Sequence, residues 1–369
     1  VYFEISRKEL LTPLKMVASV VETKQSLPIL GHILIKVSNG NLQLTATDAE
    51  VEMACSLPLS GGLDTPQEAE ITVPRKFFEI VRSLSDANPI QITTEEGNQV
   101  VVRSGKSRFV LATLPAEDFP ASPKITDGIT FQINQSTLKR MLSKTAFSIA
   151  VNDVRYYLNG LLLEIAHGHL SLVATDGHRM AVAQQTFSED YSVRIIIPRK
   201  AILELLKLLA DNEEEITIEI DEHHIKFNFN DQMILSSKLI DGTFPDWQIV
   251  VPHSPDKSAK ANTAELKQAL SRVSIVSTDR HKGVRISLEA TKLTVDMRNP
   301  QQEEASEELE VDYEGDEMEI GFNASYILDV LNVAASGLIK LNFSDSNSSV
   351  LITEENDEEV RWIIMPMRL

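Results

Sequence analysis

The chain has 369 residues, 43% of them hydrophobic, and a formal net charge of −19. That length exceeds what one ordinary core organises, so two or three domains are expected, each with enough apolar content to fold. The acidic total excludes broad affinity for nucleic acid unless positive charge is concentrated locally. No apolar run reaches the length of a membrane span and no secretory leader is legible, so a cytoplasmic protein is expected. The single cysteine, Cys55, offers no intramolecular disulfide, metal knuckle or redox pair, and reads as a small half-buried apolar residue.

The first element is an amphipathic helix over residues 6–22 (SRKELLTPLKMVASVVE), with Leu10 and Leu14 on one face. An alternating strand follows over residues 41–48 (NLQLTATD), then a second helix from Pro74 (PRKFFEIVRSL), with proline at a favoured first position. A hairpin over residues 101–114 (VVRSGKSRFVLATL) and the pair Phe119-Pro120 close this stretch. The same order then returns. A helix at 136–150 carries Leu138 and Leu142, a strand runs from 169 to 176 (HLSLVATD), and a second helix starts at Pro198 (PRKAILELLKLL). A hairpin over residues 223–240 and Phe244-Pro245 end that copy. The third copy has a helix at 263–279 with Leu266 and Leu270, a strand at 292–299, a helix from Asn323 (NASYILDVLNV) and the ending RWIIMPMRL. The sequence therefore predicts three α+β domains, 1–125, 126–252 and 253–369, each with two helices packed on antiparallel sheets. A solenoid is disfavoured because its repeats are shorter, about 20–50 residues.

Charge is unevenly spread. The six helical segments hold fourteen Lys or Arg against seven Asp or Glu, so they sum to +7 while the remainder sums to −26. Helices gathered on one side would present a basic face able to hold DNA through its phosphates without reading bases. The competing reading is that these charges solvate exposed helix faces. The three repeats carry −3, −6 and −10, with Glu303, Glu304, Glu307 and Glu308 in the third and Arg103, Lys106 and Arg108 in the first. Complementary ends on one chain favour head-to-tail association; an acidic surface that only aids solubility is the alternative.

Catalytic signatures are missing: no nucleophile elbow, phosphate loop, dinucleotide fingerprint or HExxH pair occurs. An enzyme would have to be built on Asp176, His178 and Arg179 in ATDGHRM. His167 with His169 and His223 with His224 read as solvated turn residues, and Glu213 to Glu215, Glu354, Glu355 and Asp357 to Glu359 as solvated loops and sheet edges. No metal and no cofactor are expected.

The segments LPILGHILI (27–35), DVRYYLNGLLLE (153–164), ATDGHRMAV, DGTFPDW, GFNASYILDVLN and the final MPMRL, in this order across the whole chain, resemble the bacterial β sliding clamps. The resemblance implies a head-to-tail homodimer ring of six domains, with helices lining a pore that duplex DNA threads. It implies a non-catalytic processivity role in replication, and partners that include DNA polymerases, a clamp loader and repair factors carrying short clamp-binding peptides. A three-repeat interaction scaffold that encircles no DNA is the alternative.

By the same resemblance, Lys24, Asn152, Asp153, Arg155, Tyr156, Tyr157, Arg199 and Lys282 would face DNA. The partner peptide would be held by Leu158, Thr175, Gly177, His178, Arg179, Met180, Pro245, Val250, Asn323, Tyr326, Ser349, Ile363, Ile364, Met365, Pro366, Met367, Arg368 and Leu369. The dimer seam would join Arg108, Phe109 and Leu111, beside Arg103 and Lys106, to Arg272, Ile275, Val276 and the acidic stretch Glu303, Glu304, Glu307 and Glu308. Gln248, Ile249, His281 and Asn347 depart from the family pattern around the peptide site, and Trp247 is a candidate for added apolar surface there.

Overall fold

The first amphipathic stretch becomes helical because Ser6 and Glu9 cap each other: Ser6 Oγ accepts from the Glu9 N–H while the Glu9 carboxylate takes the Ser6 N–H. Its stripe of Leu10, Leu14 and Val17 is fully buried. The structure, a computed structural model, describes residues 1–22, 27–59, 68–95, 98–278 and 282–368. The first repeat contains β1 (Tyr2–Ile5), α1 (Arg7–Val20), β2 (His32–Ser38), β3 (Asn41–Thr47), β4 (Val51–Pro58), β5 (Glu68–Pro74), α2 (Lys76–Ser83), β6 (Ile90–Glu95), β7 (Gln99–Ser104) and β8 (Ser107–Ala112). The second contains β9 (Ile129–Asn134), α3 (Gln135–Thr145), β10 (Gly160–Ala166), β11 (His169–Thr175), β12 (Arg179–Thr186), β13 (Val193–Pro198), α4 (Arg199–Leu208), β14 (Glu215–Ile220), β15 (His224–Phe229) and β16 (Met233–Lys238). The third contains β17 (Lys257–Asn262), α5 (Thr263–Val273), β18 (Gly283–Glu289), β19 (Lys292–Arg298), β20 (Glu304–Glu310), β21 (Asp312–Glu314), β22 (Met318–Asn323), α6 (Ala324–Val333), β23 (Leu338–Phe343), β24 (Val350–Glu354) and β25 (Asp357–Ile364). No helix among the described residues is long and apolar enough to cross a membrane.

The helix-starting prolines correct the sequence reading. Pro74 closes β5 and Pro198 closes β13, so each helix begins one or two residues later. Both are outer strands of their sheets, where a residue without an N–H is tolerated.

By compactness the chain forms two units, Val1–Ser136 with Leu203–Leu239, and Thr137–Ile202 with Ile240–Leu369. The first holds a four-stranded sheet, β1-β6-β7-β8, and an eight-stranded sheet, β5-β2-β3-β4-β16-β15-β14-β9. The second holds a nine-stranded sheet, β13-β10-β11-β12-β25-β24-β23-β17-β21, and a four-stranded sheet, β20-β19-β18-β22. One junction recurs in the two long sheets. The fourth strand of the first repeat pairs antiparallel with the last hairpin strand of the second, Val51 opposite Ser237 and Cys55 opposite Met233. The corresponding strand of the second repeat pairs with the last strand of the third, Arg179 opposite Ile364 and Ala183 opposite Val360. Their counterparts β20 and β8 are outer strands, each bonded on one side only among the described residues.

Several helix cations are structural. Arg7 binds the Val81 and Arg82 carbonyls and Asp86, Arg75 binds the Ala18 carbonyl, and Arg140 pairs with Asp357 and Glu359. Lys144 forms an ion pair with Glu354 at 2.8 Å, beneath the Trp362 ring, whose indole N–H donates to the Lys144 carbonyl. Glu354 is only 4% exposed and also accepts from the Ala335 and Ser336 N–H groups, which overturns its reading as a solvated edge residue.

Candidate functional site

The second unit contains a cleft of about 150 Å³, built around the turn between β11 and β12. Asp176 organises that turn: its Oδ1 accepts from the His178 and Arg179 N–H groups at 2.9 and 3.1 Å. Gly177 sits at φ +87°, a backbone conformation that favours glycine, and a Cβ there would lie 2.7 Å from a nitrogen at the movable end of Arg155. Thr175 Oγ accepts from the Gly177 N–H and donates to the Arg179 carbonyl.

Arg179 then ties the wall to its surroundings. Its guanidinium bonds Asp176, Asp329 and the Phe147 carbonyl while lying 5.3 and 4.5 Å from the Phe147 and Tyr326 ring centres. The His178 ring stacks on Tyr326 with an interplanar angle of 21°. Burial, reinforced by the Asp176 charge, pushes the Tyr326 hydroxyl above its ordinary pKa. Leu158, Met180 and Ile363 form an apolar floor, and Phe244, Pro245, Trp247 and Val250 form the opposite wall. Met365 closes the rim, held by its N–H on the His178 carbonyl at 3.0 Å.

A cleft of this volume is well below a typical small-substrate pocket and suits one or two apolar side chains of a larger partner. Asp176 is spent on the turn and on Arg179, and among the described residues no hydrogen bond joins it to the His178 ring, so the two do not form an acid–base pair. Cys55, in the other unit, is buried, and burial pushes its thiol up to about 12. Among the described residues no group of His, Cys, Asp or Glu is arranged to hold a metal.

Domain families of the DNA polymerase III beta subunit match the chain end to end: the N-terminal domain over residues 1–123, the central domain over 132–246 and the C-terminal domain over 248–368. The beta sliding clamp of Pseudomonas putida is 43% identical over 371 residues, covering both chains completely. The chain belongs to the bacterial β sliding clamp family. The crystal structure of the DNA polymerase III subunit beta from Pseudomonas aeruginosa superimposes with a TM-score of 0.94 at 42% identity, again over the whole of both chains. A sliding clamp of the same organism bound to griselimycin gives 0.94 at 42% identity, over 100% of this chain and 99% of that one.

Of the residues the clamp resemblance assigned to the peptide site, Leu158, Thr175, Gly177, His178, Arg179, Met180, Pro245, Val250, Ile363 and Met365 line one cleft. Tyr326 stands behind His178 and Arg179 rather than on the lining, and Asn323 caps α6 by accepting from the Ser325 N–H. Ser349 precedes β24, Ile364 is buried within β25, and Pro366 follows Met365 along the tail. Met367 and Arg368 line a different groove with Arg285, Asp296 and Arg298, and Leu369 lies outside the described residues. Phe244 lines the cleft without having been assigned to it, and Arg155 and Tyr157, assigned to DNA, contribute to the lining as well. Phe244 stood in plain view beside Pro245 in DGTFPDW, and the suggested apolar role of Trp247 matches its place in the wall.

Of the residues assigned to DNA, Asn152 to Tyr157 form one projecting loop, with Val154 96% exposed at its tip. Arg155 donates to the Asp153 carboxylate twice from its guanidinium and once from its backbone N–H, which holds Asp153 down at about 2, and its guanidinium also donates to the Asp176 carbonyl. Arg199 begins α4 with its Nε buried and without a hydrogen-bond partner among the described residues, and Lys282 is exposed just before β18. Lys24 and His281 lie outside the described residues. At the seam, Arg103, Lys106 and Arg108 are exposed on β7, β8 and their turn, with Phe109 half-buried and Leu111 buried. Glu303, Glu304 and Glu308 are exposed on or beside β20, Glu307 takes a bidentate bond from Arg272, and Ile275 and half-buried Val276 follow α5.

Proposed function

We propose that two copies of this chain join head to tail into a six-domain ring that encircles duplex DNA and tethers the replicative polymerase, as a sliding clamp with no catalysis of its own. The observation that carries this reading is the repeated strand junction. It is satisfied twice within the chain, and its third instance needs β8 from one copy and β20 from another. Unpaired outer strands invite such augmentation.

The repeats also give a register. The turn pairs Thr47 with Glu52, Thr175 with Met180 and Arg298 with Glu304 correspond, as do the backbone bonds from Thr113 to Asn98 and from Leu239 to His223. Carrying the pairing of Glu52 with Ser236 across places Glu304 opposite Val110 of the other copy and Ser306 opposite Arg108. Arg108 then lies diagonal to Glu304 and Glu308 on the solvent face, and Lys106 lies opposite Glu308, a favourable cross-strand charge pattern. On the inner face Phe109 meets small Ala305, next to Ile275. A chain carrying Val110→Cys with Glu304→Cys is expected to form a disulfide-linked dimer on mild oxidation, since opposed strand residues lie about 4.5–5.5 Å apart, within disulfide reach. Val110→Cys with Ala305→Cys, which face opposite sides, is expected to stay unlinked; the reverse pattern would overturn the register and the ring built on it.

Within the ring, Lys24, the loop of Asn152, Asp153, Arg155, Tyr156 and Tyr157, and Arg199 and Lys282 supply the DNA-facing groups. Their cations hold phosphates and read no sequence. Polymerases, a clamp loader and repair factors seat apolar anchors of short peptides in the cleft between Leu158, Met180, Trp247 and Ile363, a reading supported by the griselimycin-bound relative. We place the domain limits at 1–125, 126–252 and 253–369, a reading supported by three family matches in the same order, over 1–123, 132–246 and 248–368. A replication role places the protein in the bacterial cytoplasm.

A further inference from the structure

One wall of the cleft is not part of any strand: Phe244, Pro245 and Trp247 lie on the connector after β16, which ends in a short helical turn at Trp247–Ile249. A connector of this kind has few backbone bonds to fix it, and a wall that wanders would cost binding energy each time a partner ordered it. Side chains from two strands hold it. The Arg194 guanidinium, on β13, donates to the Phe244 and Pro245 carbonyls at 3.1 and 3.2 Å, and its other end pairs with Glu164 on β10. Glu164, whose side chain is 14% exposed, uses its second oxygen to accept the Trp247 indole N–H at 3.0 Å. Arg194 and Glu164 face each other across the β10–β13 pair, residue opposite residue. On the far side the Arg361 guanidinium lies 5.7 Å from the Trp247 ring centre.

We propose that Glu164 and Arg194 form a latch that pre-forms the cleft, making them positioning residues for partner binding although neither lines the cleft. The latch ties three successive features of the connector, two carbonyls and one indole, to a rigid strand pair. Because Glu164 satisfies the indole N–H, the wall offers the cleft apolar surface, which fixes its preference for an apolar or aromatic anchor over a polar one. Arginine is needed for the geometry, since one planar fork must reach a carboxylate and two carbonyls together.

The inference rests on the cleft being the partner-peptide site, so the test separates the two. A synthetic peptide carrying an aromatic and a leucine anchor is titrated against the full-length protein and against Arg194→Ala, Arg194→Lys and Met365→Glu. Tryptophan emission of the free proteins is recorded in parallel. Trp362 is buried against Lys144, so a change in emission reports mainly on Trp247. Arg194→Ala is expected to weaken the peptide roughly tenfold, from lost charged hydrogen bonds and a wall ordered only on binding. Its free emission should shift to the red, with Arg194→Lys in between. Met365→Glu should weaken binding with free emission unchanged. Loss in Met365→Glu alone would overturn the latch and leave the peptide site standing. No loss in either variant would remove the peptide site, and the latch with it.

Discussion

Replacing Glu354 with alanine is expected to lower the stability of the second unit by about 3–5 kcal/mol, because it leaves a buried lysine without its counter-ion. Lys144 and Glu354 are almost completely enclosed, and each has further partners: the Trp362 ring and indole for one, two backbone N–H groups for the other. The variant strands the ammonium and both backbone donors together. Thermal unfolding followed by circular dichroism should show a fall of roughly 6–20 °C. The double variant Lys144→Met with Glu354→Leu is expected to recover part of the loss, since no charge is then stranded, but not all of it, because the Ala335 and Ser336 N–H groups stay unmet. The pair also sets a pH dependence. Burial alone would raise the Glu354 carboxyl, but bonds from Lys144, Ser336 and Ala335 together outweigh it and hold the group below its ordinary value. Its contribution is therefore fully present above the unfolded value of 4.5 and is lost as pH falls through the lower folded value. Wild-type protein should lose stability steeply in that acid range, and the double variant less so.

The second large effect is expected at the proposed seam between copies. Ile275 is 80% exposed in a single chain and follows the helix that carries Arg272, so a partner strand at the proposed seam would cover it. Ile275→Asp is expected to weaken dimerisation at least about 30-fold, the scale of a central apolar anchor exchanged for a charge. Exposure of the residue means the isolated subunit should unfold within a degree or two of wild type. Sedimentation velocity over a concentration series tests the first statement and thermal unfolding at low concentration the second. A dimer of unchanged affinity would remove Ile275 from the interface.

Much of the fold was legible because it is locally encoded and written three times. The leucine pairs at i, i+4 and the alternating strands are short-range signals, and repetition made each more secure. What failed to show was long-range. Glu354 sits in an acidic neighbourhood that reads as solvent-facing, and a lysine 210 residues earlier together with the Ala335 and Ser336 N–H groups explains its burial. Arg7, Arg75 and Arg140 read as free helix charge but serve carbonyls and carboxylates on distant elements. The cleft was found largely through resemblance; its turn carries its own signature in Asp176 and Gly177, whereas the Arg194–Glu164 latch rests on a cross-strand pairing that no local pattern marks.

Encirclement of DNA is the central claim, and topology distinguishes it from surface binding. Protein loaded by a competent clamp loader onto nicked circular DNA would be followed before and after linearisation, at salt high enough to screen simple phosphate contacts. Retention on circles with release on cutting is the predicted result; equal loss from circular and linear DNA would contradict it.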